Sequence, residues 1–326
     1  MNVLVTGANG LLGHHVVIEL LKRNHHVKII VRSANAIYFD LSNVELHIGN
    51  FTNMDELVNA AQHCEAIIHI AALTATNLLN YDSYHKINVE GVKTILKVAD
   101  LLTINKLVYV SSANTIGFGN EQHLADECLT IEYPFSASFY AQSKVVSEKL
   151  VIDASQKVNR HFVIINPTFM IGEMDTKPSS GKLMLLGYRK KLMLAPGGGK
   201  NFVPVKDVAF AVCNALFMGK NGQRYLAAGV NLSFVQFYRM QSEIAGYNQR
   251  IEVFPSFLLE VVAKIGDLIR RFGIQTDVCS MNINQLLIQE YYINSKATLE
   301  LDMPETDLKQ AIQEALKWFK DTHVIC

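Results

Sequence analysis

The chain lacks an excess of charge of either sign, paired cysteines and a long apolar run, and each lack excludes a class of protein. Lysine plus arginine and aspartate plus glutamate each number 30, so no net field attracts nucleic acid or an anionic membrane. The five cysteines form no CxxC pair, which favours reduced thiols over a disulfide scaffold. The eleven histidines include no helical pair beside a carboxylate, so no metal site is predicted.

No apolar run reaches the roughly 20 residues of a membrane span. Residues 257–269 come nearest, but Glu260, Lys264, Asp267 and Arg271 recur at steps of three and four residues. This pattern predicts an amphipathic helix that packs over the second lobe, with weak contact to a membrane or a partner left open. The first strand begins at residue 3, which leaves no room for a signal peptide, and a cytoplasmic protein is expected.

The chain is long and apolar enough to form one large domain and a smaller one. It has 326 residues, of which 49% are apolar. Short β-rich runs alternate with helical patterns as far as Pro167, which predicts an α/β fold with a Rossmann-type doubly wound parallel sheet. Residues 1–168 are assigned to this domain. Residues 169–326 are assigned to a smaller mixed α/β substrate lobe, with a strand near 202–229 returning to the main sheet.

Six strands and four helices are predicted before Pro167. The strands are Val3–Thr6, Val27–Val31, Val44–Ile48, Ala66–Ile70, Leu107–Ser111 and Phe162–Ile165. The helices cover 11–23, 54–62, 87–102 and 140–157. Residues 52–55 have the spacing of a capping box at the second helix.

A glycine-rich turn directly follows the first strand and leads into the first helix. Glycine permits a tight turn and lets the backbone approach a phosphate. The helix N-terminus then favours an anion. The turn is therefore predicted to hold a dinucleotide pyrophosphate. The residues predicted to surround it are Gly7, Asn9, Gly10, Leu11, Leu12 and Gly13.

A tyrosine and a lysine one helical turn apart form the second motif. Tyr140 and Lys144 lie on the predicted helix at 140–157. Reduction of a carbonyl places negative charge on oxygen, and a positioned acid must supply a proton. The Lys144 ammonium favours the phenolate form of Tyr140, so the tyrosine can act as acid in reduction and as base in oxidation. The same lysine is expected to hold the nicotinamide ribose.

The ordered motifs resemble those of the extended short-chain dehydrogenase/reductase family. Within that family, Asn166-Pro167-Thr168 and Val31-Arg32-Ser33 lean towards dihydroflavonol-4-reductase-like members rather than nucleotide-sugar epimerases. The matching runs are Thr6 to Gly13, His69 to Ala72, Asn88 to Gly91, Val110 to Ser112, Tyr140 to Lys144, Asn166 to Thr168, Phe202 to Ala209 and the closing helix Ala311 to Phe319.

The resemblance implies roles for further residues. Ser112, rather than Ser111, is expected to donate a hydrogen bond to the substrate oxygen. Asn88 is expected to support a water that links Lys144 to solvent. The other residues that the resemblance places against the cofactor are Ala71, Ala72, Pro167 and Thr168.

Cofactor preference is predicted from the end of the second strand. An acidic residue there would bind the ribose 2′-hydroxyl, but this chain has Arg32. A guanidinium can hold a 2′-phosphate with two hydrogen bonds, so NADP is predicted, with NAD as the alternative. Asn50 and Phe51 follow the third strand and are expected near the adenine, where family members often have aspartate.

Substrate-contacting residues are expected after the carboxyl ends of the strands, where open α/β sheets bind ligands. The candidates are Thr74, Asn114, Phe118 and Phe169. They mix polar and apolar character, which suits a medium-sized carbonyl compound or alcohol. The partner is then a small molecule, and a homodimer is left open.

Three functions are compatible with these motifs. The leading hypothesis is an NADP-dependent reductase of aldehydes, ketones or dihydroflavonol-like carbonyls. The first alternative is a nucleotide-sugar epimerase or dehydratase, which uses the same tyrosine and lysine. The second is a non-catalytic NADP-sensing protein, against which the retained Ser112, Tyr140 and Lys144 argue, because binding alone needs no acid–base pair.

Overall fold

A seven-stranded parallel sheet forms the centre of the molecule. The computed structural model describes residues 1–176, 178 and 180–325, so Lys177, Ser179 and Cys326 lie outside the described residues. The strand order is β10-β6-β5-β4-β1-β2-β3, and every neighbouring pair is parallel. With strands numbered along the whole chain, the sheet contains β1 Asn2–Thr6, β2 His26–Val31, β3 Val44–Ile48, β4 Ala66–His69, β5 Lys106–Val110, β6 His161–Pro167 and β10 Arg224–Ala227.

Helices cover both faces of this sheet, which confirms the predicted Rossmann-type α/β fold. In β1, Val3 and Val5 point into one apolar cluster and Leu4 into another, and all three are fully buried. Because alternate residues of a strand face opposite sides, a continuous apolar run indicates a strand covered on both faces. The helices of this part are α1 Leu11–Lys22, α2 Met54–Ala61, α3 Asp82–Tyr84, α4 Glu90–Leu101, α5 Phe139–Ser155 and α7 Val205–Asn214.

Two local predictions in this part are wrong in detail. Asn53, rather than Thr52, caps α2, and its side chain accepts from the amides of Asp55 and Glu56. The predicted capping box is therefore absent, because an asparagine oxygen one residue later satisfies the same amides. The helix predicted over 87–102 begins earlier, at α3, and passes through a π-helical turn at His85–Val89 before α4.

The second lobe is built on two smaller sheets. The first contains β7 Phe169–Ile171, β9 Gly199–Pro204, β11 Val230–Ser233 and β13 Gln289–Glu290, and the second contains β8 Leu192–Ala195 and β12 Arg250–Val253. The helices are α6 Gly181–Gly187, α8 Phe234–Ala245, α9 Ser256–Arg271, α10 Ser280–Leu287, α11 Ser295–Leu301 and α12 Leu308–Asp321. Strand β10 returns to the main sheet beside β6, whereas β9 stays in the lobe. The division into two domains at residue 168 stays a prediction.

The amphipathic helix predicted from residues 257–269 forms as α9, but it packs with the opposite face. Only Ala263 and Gly266 are buried, while its large apolar side chains are exposed. The helix does contact the second lobe, since the Ser280 amide of α10 donates to Asp267 Oδ1 at 2.9 Å, but its large apolar side chains face away from that contact. In the part of the chain that the structure describes, no helix is long and apolar enough to cross a membrane.

Candidate active site

The three glycines of the turn after β1 differ in what surrounds them. Gly7 has φ +75°, and a Cβ there would lie 2.7 Å from the Ala71 nitrogen. A Cβ on Gly13 would lie 2.0 Å from the Gly7 oxygen, so both positions need glycine for the turn itself. A Cβ on Gly10 would lie 3.4 Å from the Gly7 oxygen, an ordinary van der Waals contact, so the turn itself does not require glycine there.

Gly10 lies at the N-terminus of α1. It is the residue before the helix, and no side chain caps it, so the amides of the first turn are available to an anion. Asn9 and Gly10 are partly exposed, whereas Leu11, Leu12 and Gly13 are buried. A bare backbone cradle at a helix start fits a dinucleotide pyrophosphate.

The carboxyl end of β4 lies directly beside this turn. Thr6 pairs with His69 across the two strands, and Thr6 Oγ1 lies 2.7 Å from His69 Nδ1. The amide of Ala71 donates to Thr6 Oγ1 at 3.3 Å, which holds the Ala71-Ala72 segment against the glycine turn. Burial lowers the pKa of His69 to about 3, so its ring is neutral and serves to position this segment.

Helix α5 brings Tyr140 and Lys144 to the same edge of the sheet. Lys144 is 2% exposed, and its Nζ donates to the Val110 oxygen at 2.7 Å. It also lies 4.4 Å from the centre of the Tyr109 ring. Burial lowers the pKa of Lys144 to about 7, and the Glu148 carboxylate opposes that shift. The predicted lysine is therefore a desolvated amine whose pKa lies close to neutral pH.

Tyr140 and Ser112 are also brought together. The Ser112 side chain lies close enough to the Tyr140 hydroxyl to lower its pKa, so the predicted serine and tyrosine share one site. Burial is the larger effect and raises the pKa of Tyr140 to about 12. This direction is opposite to the one expected from Lys144, whose amino group donates to the Val110 oxygen.

A buried carboxylate that sequence reasoning missed lies behind these residues. Glu148 is 4% exposed and receives a hydrogen bond from Asn166 Nδ2 at 2.6 Å. Its Oε1 lies 2.7 Å from Thr115 Oγ1. Asn166 and Thr115 both donate to the Ser112 carbonyl oxygen, at 3.0 and 2.8 Å. Glu148 thus anchors the loop that presents Ser112. Its position one helical turn after Lys144 on α5 is the sequence signal that could have identified it.

Asn88 lies in the π-helical turn and is 2% exposed. Its side chain accepts from the Leu73 amide at 2.8 Å and donates to the Leu73 oxygen at 3.1 Å. It also donates to Ser143 Oγ at 2.9 Å. Asn88 therefore joins the segment after β4 to α5, and its expected water-holding role stays a prediction.

The candidate adenine and ribose residues surround the ends of β2 and β3. Arg32 directly follows β2 and is exposed at the carboxyl edge. Asn50 Oδ1 accepts from the Thr52 amide at 3.1 Å, in a turn of its own. The centre of the partly buried Phe51 ring lies 5.2 Å from that of the His69 ring, so this ring packs against the core, and its contact with an adenine stays a prediction.

The end of β6 is fixed by contacts to the second lobe. Pro167 is buried, and Thr168 Oγ1 donates to Asn201 Oδ1 at 2.7 Å. The Thr168 hydroxyl is thus engaged inside the protein, and its backbone is the part at the predicted cofactor position.

The four predicted substrate residues differ in exposure and in packing. Thr74 is exposed and Asn114 is partly exposed. Phe118 packs 5.9 Å from the Phe135 ring, and Phe169 packs 5.5 Å from the Phe202 ring. Their contact with substrate stays a prediction.

A cavity of about 160 Å³ instead lies beside the residues that precede Tyr140. Ser138 and Phe139 form one wall, and none of the four predicted substrate residues lines it. Sequence reasoning missed it because much of its wall comes from segments more than a hundred residues further along the chain. Residues that line it include Tyr84, Ser138, Phe139, Asp267, Arg270 and Cys279.

Comparison with known proteins places this site in a family. The profile of the NAD dependent epimerase/dehydratase family matches residues 3–228, which span the whole main sheet and every residue of the glycine turn and the Ser112–Tyr140–Lys144 group. The chain belongs to this family. The resemblance to extended short-chain dehydrogenases/reductases is thereby confirmed, and the protein is an enzyme of the NAD(P)-dependent type.

Relatives of similar length extend the match to the full chain. A putative dihydroflavonol 4-reductase from Synechocystis is 29% identical, over 97% of this chain and 94% of that protein. Sterol demethylase protein B from Methylococcus capsulatus is 26% identical over the whole of both chains.

Solved structures share the architecture. The crystal structure of gox2253 superposes with a TM-score of 0.84 at 27% identity, covering 99% of both chains. The UDP-glucose 4-epimerase of Thermus thermophilus in complex with NAD has a TM-score of 0.77 at 20% identity, covering 98% of this chain and 99% of that one. The likeness to the epimerase shows the fold alone.

Proposed function

We propose that the protein is an NADP-dependent reductase of a carbonyl compound, working in either direction between carbonyl and alcohol. The observation that carries this proposal is the proximity of the Ser112 side chain to the Tyr140 hydroxyl, with the buried Lys144 on the next turn of the same helix. These groups lie at the sheet edge that also carries the glycine turn, so a dinucleotide held by that turn would extend towards them.

Each residue of the group has a distinct task in reduction. A nicotinamide cofactor bound at this edge would supply a hydride to the carbonyl carbon, and negative charge would then develop on the carbonyl oxygen. Ser112 donates a hydrogen bond to that oxygen. Tyr140, whose pKa of about 12 keeps it protonated at neutral pH, transfers its proton to the oxygen and completes the alcohol. The tyrosinate left behind is stabilised by the protonated form of Lys144, and a proton from solvent restores it.

The choice of NADP over NAD rests on Arg32. It follows β2 directly and is exposed at the sheet edge, where an acidic residue would otherwise favour the free ribose hydroxyl. A guanidinium can hold a 2′-phosphate through two parallel hydrogen bonds. NAD is the alternative cofactor that the same glycine turn would accept.

Net carbonyl reduction is favoured over epimerisation by the curated relatives. Proteins named dihydroflavonol 4-reductase, sterol-4-alpha-carboxylate 3-dehydrogenase and 2-alkyl-3-oxoalkanoate reductase all match this chain. Each name describes an oxidation or reduction at a carbonyl or alcohol, so we extend that reaction class to this protein. The proposed setting is the cytoplasm, where the four described cysteines, none of them paired, stay reduced.

The deciding experiment is a screen for NADPH oxidation across aldehydes, ketones, dihydroflavonols, steroids and nucleotide sugars. Stoichiometric NADPH consumption with an alcohol product supports the proposal. Conversion of a nucleotide sugar without net NADPH loss would instead identify an epimerase. Tight NADPH binding with no turnover of any compound would favour a sensor.

A further inference from the structure

The outward face of α9 is a continuous apolar surface. Seven large side chains of α9, and that of Phe272 directly after it, are between 37% and 76% exposed. At about 100° per residue they cover roughly 140° of the helix circumference. These residues, called the α9 face below, are Phe257, Leu258, Val261, Val262, Ile265, Leu268, Ile269 and Phe272.

The opposite side of α9 is fixed to the protein, so this face cannot turn inward. Ala263 and Gly266 are the buried residues, and a Cβ on Gly266 would lie 1.9 Å from the Val278 oxygen. Arg270 donates to the oxygens of Asn77 and Leu78 at 3.1 and 3.0 Å. Close packing at Gly266 and the hydrogen bonds of Arg270 therefore set the rotation of the helix, and the large apolar side chains remain in water.

An apolar surface of this size calls for a partner. Eight such side chains expose on the order of 800 Å² together, above the roughly 300–600 Å² of the largest patch on a typical monomer. At about 25 cal/mol per Å², leaving them in water has a large cost that an apolar environment removes.

We propose that the α9 face docks this protein onto a lipid bilayer, with the helix lying in the plane of the membrane surface. The face is convex and consists of one helix of 16 residues, about 24 Å long, and of Phe272 that directly follows it. A second copy would meet it along one ridge and bury only part of it, short of the roughly 800 Å² per partner of a stable interface. A bilayer deforms around the whole face, and in-plane amphipathic helices sink about 5–10 Å into it.

The charges on the flank of the face suit lipid headgroups. Lys264 and Arg271 are exposed on one side of the apolar arc, and Glu260 lies next to them around the circumference. The two long cationic side chains can reach phosphate groups while the apolar residues enter the acyl region. Two cations against one carboxylate make the attraction to anionic lipid weak, so apolar burial supplies most of the binding.

Docking would bring the cavity beside Tyr140 close to the membrane. Asp267 and Arg270, on the inner side of α9, line that cavity together with Ser138 and Phe139. The cavity is thus separated from the α9 face by one helix, about 10 Å across. The docking proposal itself does not depend on the reaction that the site performs.

Vesicle flotation of the full chain tests this assignment. We expect the protein to float with phosphatidylcholine vesicles, and with phosphatidylcholine containing one-fifth phosphatidylglycerol about as well. The double variant Val261→Asp/Ile265→Asp should lose at least about tenfold in vesicle affinity, because two charges enter the apolar arc. The matched control Val158→Asp/Leu299→Asp changes two residues that are 86% and 78% exposed elsewhere and should float like the wild type.

Two further measurements keep the result decisive. Far-UV circular dichroism and NADPH titration must show that both double variants are folded, and sedimentation of each protein without lipid reports its oligomeric state. A wild type that stays with the buffer at every lipid concentration would overturn the proposal. So would a wild-type dimer that Val261→Asp/Ile265→Asp converts to a monomer without any lipid binding, since the face would then join two copies.

Discussion

The carboxyl edge of the main sheet and helix α9 carry equally clear sequence patterns, yet they differ in how the patterns relate to the structure. At the sheet edge, the glycine turn and the Tyr140–Lys144 pair lie where their spacing predicts. In α9 the helix is where the pattern predicts, but its apolar face points to water. The difference arises because a turn or helix spacing is a local property, whereas the direction of a helix face depends on what packs against it.

The largest effect expected at the sheet edge comes from Tyr140→Phe, which keeps the ring but removes the transferable proton. Turnover of the substrate found by the NADPH screen should fall by about a hundred- to ten-thousand-fold, with NADPH affinity nearly unchanged. Tyr133→Phe, at a tyrosine that is 54% exposed, is the control and should leave the rate intact. Wild-type turnover by Tyr140→Phe would remove that residue from the reaction.

The same substitution at two glycines separates fold from cofactor binding. Gly13→Val places a Cβ 2.0 Å from the Gly7 oxygen and should lower the free energy of unfolding by roughly 3 kcal/mol or more. Gly10→Val meets nothing closer than 3.4 Å, so folding should change by less than about 1 kcal/mol. NADPH affinity should nevertheless fall at least about tenfold in Gly10→Val, measured by fluorescence titration. Equal stability of the two variants would contradict this division of tasks.

Cofactor preference should follow Arg32. The Arg32→Asp substitution removes a charge-assisted contact worth about 1.5–3 kcal/mol. NADPH binding should therefore weaken roughly 10- to 100-fold, and the preference should shift to NADH. The control Arg239→Asp changes an exposed arginine on α8 and should leave both dissociation constants unchanged. If the wild type binds NADPH and NADH equally well, the assignment to Arg32 fails.

The smallest expected effect is a pH dependence of stability from Lys144. Burial lowers its pKa from 10.5 to about 7, so between these values the unfolded chain holds a proton that the folded chain has lost. The free energy of unfolding of the cofactor-free protein should therefore rise between pH 7 and ~8.5, by on the order of 1 kcal/mol per unit. Urea unfolding of Lys144→Met should show a flatter profile, whereas Lys149→Met, at an exposed lysine of the same helix, should keep the wild-type slope. Identical slopes in all three proteins would place Lys144 in a solvated environment.

Much of the main-sheet edge was predictable because its signals are local. Three glycines three residues apart after a buried strand already specify a tight turn at a helix start. Tyr140 and Lys144 share a helix face by their spacing alone. The predicted N-cap of α2 was wrong by one residue, because Thr52 and Asn53 are both favourable N-cap residues and only the backbone path selects between them.

The amino-acid sequence alone predicted the alternation of strands and helices before Pro167, the glycine turn and the pairing of Tyr140 with Lys144, because each follows from backbone preference and residue spacing. The tertiary structure alone decided the Glu148 network behind Ser112, the cavity that joins Ser138 to Arg270, and the outward direction of the α9 face. These depend on contacts between segments far apart in the chain, such as Arg270 with Asn77. No periodicity within a single segment encodes which distant segment will pack against it.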